Sequence, residues 1–78
     1  MKKINIEELK ELNYSDGEKL LLSVGYIQQD VVRENIVQDR EYFEDTYFVL
    51  FDENENHVFT FYQYIIDDVV VRQTWAEL

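Results

Sequence analysis

The sequence contains no cysteine and no proline, and only two glycines, one histidine, one methionine and one tryptophan in 78 residues. Without cysteine, neither a disulfide nor a thiolate metal site supplements the core of a chain this short. With no proline, and with Gly17 and Gly25 as the only glycines, long irregular loops are disfavoured. His57 has only Ser15 and Ser23 as serine partners, neither in a nucleophile context, so it reads as a surface histidine at a strand end. Gly-rich phosphate loops, zinc spacings and nucleotide fingerprints are all missing. No catalytic, cofactor-binding or metal-ligating residue is assigned, and the chain is not expected to be an enzyme.

Bases are scarce as well, seven Lys and Arg against 17 Asp and Glu, for a net charge of −10. Residues 1 to 29 hold five acids against four bases, while residues 30 to 78 hold twelve against Arg33, Arg40 and Arg72 alone. Such a field repels nucleic acid and anionic membrane and steers basic partners inward. No run approaches the roughly 18 apolar residues of a membrane span. Lys2 and Lys3 are followed by Asn5, Glu7 and Glu8, not by the apolar stretch of a signal peptide. These features predict a cytoplasmic protein, in the host cytoplasm if phage-encoded.

Aromatic residues are plentiful. Nine of the eleven Phe and Tyr residues lie between Tyr42 and Tyr64. There YFVLF and VFTFYQYII flank the polar DENENH, with strand-forming side chains on both arms of a hairpin. On period-two alternation the odd-numbered Tyr47, Val49, Phe51, Phe59, Phe61 and Ile65 form the core face, with Gln63 the exception. The even set then holds Phe48, Leu50, Val58, Thr60, Tyr62, Tyr64 and Ile66 on the other face. After a two-residue turn at Asp67-Asp68, Val69 to Trp75 reads as the next strand of an antiparallel meander.

Upstream, Asn5 with Glu8 makes a capping box, Ile4 and Leu9 a hydrophobic staple, and Ile6, Leu9 and Leu12 one apolar stripe. A helix from Ile6 to Asn13 follows, docked on the sheet because it is too short to stand alone. Ser15 and Glu18 form a second capping-box pattern after a break at Tyr14 to Gly17. Leu20, Leu21, Val24, Ile27 and Val31 fit a helix, whereas Leu20, Leu22, Val24 and Tyr26 fit a strand, towards which the Val-Gly-Tyr-Ile side chains lean. Between Asp30 and Asp45 both a helix through Val32, Ile36, Arg40 and Phe43 and an irregular edge strand remain open. The expected fold is α+β, in one domain: a short N-terminal helix on an antiparallel sheet of three to four strands with a central aromatic hairpin.

Asp52, Asn54 and Asn56 share the opening spacing of a calcium loop, but His57 stands where a glycine is needed and Gln63 where a glutamate is. They read as a solvated turn. The candidate contact surface is acidic and aromatic: Asp39, Glu41, Glu44, Asp45, Asp52, Glu53, Glu55, Tyr62, Tyr64, Asp67 and Asp68, with Phe48 and Trp75 extending the Tyr patch. Size, charge and composition are those of small acidic inhibitors such as phage anti-defence and anti-CRISPR proteins, other DNA mimics and nuclease immunity proteins. No motif ties the chain to any one family. The expected partner is the basic surface of a nucleic-acid-handling protein, with no nucleic acid bound directly. A homodimer built through a sheet edge or the Tyr face is the alternative.

Overall fold

Two asparagines start the two helices. In the computed structural model, which describes the backbone of residues 3–35 and 40–78 and their side chains except those of 30–35, Asn5 caps α1, Ile6–Lys10. Its side chain accepts from the Glu7 amide at 2.9 Å, and the Glu8 carboxylate returns to the Asn5 amide at 3.0 Å. The expected capping box is formed, and Ile4 and Leu9 are both buried in one cluster. The helix ends earlier than expected because Asn13 is itself a cap: its side chain accepts from Asp16 N at 2.8 Å and opens α2, Tyr14–Ser23. Asn13, not Ser15, is the second N-cap.

The stretch that leaned towards strand is therefore helical as far as Ser23, and Gly25 explains why it stops there. Gly25 has φ 107°, its amide donates to Leu22 O at 3.3 Å, and the Tyr26 amide reaches back to Leu21 O at 3.0 Å. These two bonds make a Schellman cap, in which a residue with positive φ satisfies the last carbonyls of the helix. Tyr26 then leads into β1, Ile27–Asn35. The irregular edge strand is thus the reading that describes Asp30 to Asn35, with a register shift between Gln28 and Val31. Ile36 and Asp39 lie outside the described residues.

β2 (Glu41–Phe51), β3 (Asn56–Ile66) and β4 (Val69–Glu77) complete an antiparallel meander in the order β1-β2-β3-β4. The α+β arrangement expected from the sequence is present, with a second helix added. Asp67 and Asp68, at φ 51° and 65°, form the two-residue turn between β3 and β4. Positive φ at both central residues is the type I′ geometry that matches strand twist.

The tip Asp52–Glu55 has four residues, and that even number decides the core. It places even residues of β2 opposite odd residues of β3: Phe48 faces Phe59, and Leu50 faces His57. Cross-strand partners share a face, so the core combines the even side of one arm with the odd side of the other. Phe48, Leu50, Phe59, Phe61 and Trp75 cluster with Ile4, Leu9, Leu21 and Tyr26. The odd set was right for β3 and wrong for β2. Tyr47, Val49 and Phe51 belong to the opposite, open face of the sheet.

Trp75 locks the helices down. Its indole Nε1 donates to the Leu12 carbonyl at 3.2 Å, and its ring stacks on Tyr14 at 6.1 Å between centroids. Among the described residues no helix is long and apolar enough to cross a membrane.

Candidate interaction surface

Both helices pack on one side of the sheet, since the buried residues of each join the Phe48–Phe59 cluster. On the face away from the helices, β2 carries Glu41, Phe43, Asp45 and Tyr47, all half-buried, and then the buried Val49, a strict alternation of side chains pointing the same way. Register sets Tyr64 opposite Phe43, Tyr62 opposite Asp45 and Thr60 opposite Tyr47. The Phe43 ring lies 4.7 Å from that of Tyr64 and 4.8 Å from that of Tyr62. Three rings thus form one aromatic ladder, each pair within the range where offset rings attract. The Tyr64 hydroxyl donates to the Glu41 carboxylate, which fixes the phenol and keeps a negative charge at its rim.

Tyr62 and Tyr64 are where the sequence reading placed them. Phe48 and Trp75 are not: both are buried under the helices on the other side, Phe48 because of the four-residue tip and Trp75 because the register shift between Tyr64 and Ile65 sets it opposite Phe61. Phe43 takes their place, and only the cross-strand register reveals it.

The acidic residues divide into three groups, with Glu44 apart from them. Glu41 and Asp45 flank Phe43 on the open face. Asp52, Glu53 and Glu55 form the hairpin tip, about 33 Å from Glu41 along β2 at roughly 3.3 Å per residue. Asp67 and Asp68 sit at the Glu41 end of the sheet, where the Asp67 amide donates to the Arg40 carbonyl at 2.8 Å. Glu44 lies on the helix side, opposite Gln63 and close enough to Tyr14 to act on its hydroxyl. Asp39 lies outside the described residues.

Several of these charges have basic neighbours. Lys3 meets Glu55 at 2.7 Å, and this hydrogen bond holds the Glu55 carboxyl below the usual range and the Lys3 ammonium above it. Arg40 stands 3.4 Å from Asp67 and 3.9 Å from Asp68. In the tip, Asp52 Oδ1 accepts from Asn54 N at 3.1 Å, the turn role its sequence context suggests. Among the described residues no three metal-ligating side chains converge.

His57 departs from expectation. Its side chain is only 15% exposed, and both ring nitrogens are engaged, Nδ1 with the Tyr26 hydroxyl and Nε2 with Glu77, each at 2.5 Å. Residue 57 shares the odd-numbered side of β3 with Phe59 and Phe61, and so lies on the helix side. Comparison with protein-family models, with curated proteins and with solved structures finds no match.

Proposed function

We propose that this chain is a non-enzymatic binding protein whose open sheet face occupies a basic, nucleic-acid-binding surface of another protein, as DNA-mimic inhibitors of the anti-CRISPR and phage anti-defence type do. The observation that carries this reading is the alternation Glu41–Phe43–Asp45 beside Tyr62 and Tyr64 on a face that neither helix covers. Glu41 and Asp45 are four residues apart, about 13 Å along a strand. That is roughly the axial span of four nucleotides of one DNA strand. Carboxylates at this spacing stand in for phosphates, and the ring ladder supplies the buried contact that charge alone does not give. Asp67 and Asp68 extend the acidic rim, and the net charge of −10 accelerates encounter with a basic partner.

The test is capture of a partner followed by competition. The immobilised chain should retain a nucleic-acid-binding protein at low salt, release it as ionic strength rises, and lose it to added duplex. The double variant Glu41→Gln/Asp45→Asn should slow association, whereas Phe43→Ala should speed dissociation. Retention of nothing, or of a partner that duplex does not displace, would overturn the reading.

A second reading rests on the edge strand. Val69, Val70 and Val71 of β4 are 60%, 43% and 51% exposed, an apolar stretch on a sheet edge of the kind that pairs with another chain. In that case the chain is a homodimeric assembly module. A monomer by light scattering at micromolar concentration would dispose of it.

A further inference from the structure

A chain of hydrogen bonds crosses the helix side of the molecule, away from the proposed contact face. The Ile4 amide donates to the Tyr26 hydroxyl oxygen at 3.2 Å, Tyr26 Oη lies 2.5 Å from His57 Nδ1, and His57 Nε2 lies 2.5 Å from Glu77 Oε2. It joins the segment before α1, the α2–β1 connection, the start of β3 and the end of β4. Ile4 and Tyr26 are 3% and 2% exposed.

The donors can be assigned by elimination. The Ile4 N–H has only one role, so Tyr26 Oη accepts there and retains a proton to give. If neutral His57 carried its proton on Nδ1, its Nε2 lone pair would face a carboxylate oxygen 2.5 Å away, acceptor against acceptor. Neutral His57 is therefore the Nε2–H tautomer: Tyr26 O–H donates to Nδ1, and Nε2–H donates to Glu77. Burial, the largest influence on Tyr26, raises its hydroxyl above the ordinary phenol value and keeps this donor in place.

Protonation of the imidazole reverses the donor–acceptor sense on one side of this relay only. Towards Glu77 it converts a hydrogen bond into an ion pair. Towards Tyr26 it makes Nδ1 a donor, so the phenol oxygen faces two N–H groups while its own proton loses its acceptor. A buried donor left without an acceptor is destabilising, whereas the gain falls on the half-exposed Glu77 carboxylate, where water weakens it.

We propose that His57 is an acid-operated latch on the N-terminal segment: neutral, it leaves the Tyr26 oxygen to hold the Ile4 amide; protonated, it breaks that bond and frees Lys3 and Ile4 from the sheet. The charged groups that line the same groove as His57 are Glu77 of β4, Glu55 of the tip and Lys3, and Asp52 acts on Lys3 in turn. Release also removes Lys3 from Glu55, which uncovers one negative charge at the hairpin tip.

The experiment is nitrogen-15 NMR of the full chain between about pH 8 and pH 5, the interval in which histidine side chains change charge. At the upper end the His57 ring should show the Nε2–H tautomer. As the ring protonates, the Ile4 amide shift should move with the same midpoint, and its exchange protection should fall by about tenfold. In Tyr26→Phe, His57 should titrate without Ile4 following. In His57→Gln, which keeps the site filled, Ile4 should lose its dependence on pH. An Nδ1–H tautomer at pH 8, or an Ile4 amide that ignores the His57 titration, would refute the latch.

Discussion

A Cβ at Gly17 would stand 2.3 Å from Cζ2 of Trp75. Gly17 lies inside α2, where glycine is a poor helix former by about 1 kcal/mol relative to alanine. It is tolerated because the Nε1–Cε2–Cζ2 side of the indole lies against the helix at that point. Gly17→Ala therefore gains propensity and loses fit. Overpacking of this kind costs about 1–3 kcal/mol, and the flat, hydrogen-bonded indole has little room to retreat. The expected outcome is a lower denaturation midpoint with altered Trp75 fluorescence. Ser15→Ala, exposed on the same helix, should change neither.

The Asp67-Asp68 turn is predicted to be improvable. Both residues have positive φ, a region that costs a non-glycine residue about 1 kcal/mol or more. Asn-Gly is the pair that type I′ turns prefer. The double variant Asp67→Asn/Asp68→Gly gives up the exposed contacts with Arg40, worth at most about 1 kcal/mol. It also relieves the repulsion of adjacent carboxylates. A net gain of about 0.5–1.5 kcal/mol is expected in chemical denaturation. A loss would mean that Arg40 contributes more than exposed ion pairs do.

Much of this fold was legible because the signals were local. The Asn5/Glu8 box, the aromatic hairpin and the two-residue turn each depend on residues within a few positions of one another, and each is present. Gly25 was legible in principle. A glycine between Leu21 and Tyr26, two large apolar residues that the cap brings together, marks a helix end better than a strand interior. What the sequence did not yield was parity. Whether Phe48 or Val49 is core depends on the number of residues in the tip, and DENENH gives no clue to where pairing resumes. The same shift by one residue moved Phe48 out of the candidate surface and brought Phe43 in, while a second irregularity, between β3 and β4, set Trp75 opposite Phe61.

Tyr14 gives the fold an alkaline limit. Burial and, next, its hydrogen bond to Glu18 push the hydroxyl up to about 12 from 10.0. A group whose folded value is raised contributes stability below its unfolded value and loses it as pH rises through the folded one. The unfolded chain gives up this proton first, so stability should fall between about pH 10 and pH 12. Lysines titrate nearby, so the difference from Tyr14→Phe is the measurement. The variant should show a shallower decline in its unfolding midpoint across that interval. Equal slopes would mean that Tyr14 ionises as freely in the folded protein as in the unfolded chain.

Phe43 and Phe48 lie on one strand, five residues apart and on opposite faces, and truncating each gives the sharpest test of the sheet's orientation. Phe48 is fully buried among Tyr14, Phe59 and Trp75. Its replacement by alanine removes a complete ring from a packed site and leaves a cavity, a loss of about 3–5 kcal/mol. For a domain of this size that is a large part of the total stability. Phe43 stacks with Tyr62 and Tyr64 on the face away from the helices, so Phe43→Ala should cost about 0.5–1.5 kcal/mol, the worth of its aromatic contacts. The folded Phe43→Ala chain should also dissociate faster from any partner held by that face, an effect for which Phe48→Ala gives no usable comparison. Were the odd-numbered side of β2 the core after all, the order of the two losses would reverse. Paired urea titrations followed through Trp75 would show it directly.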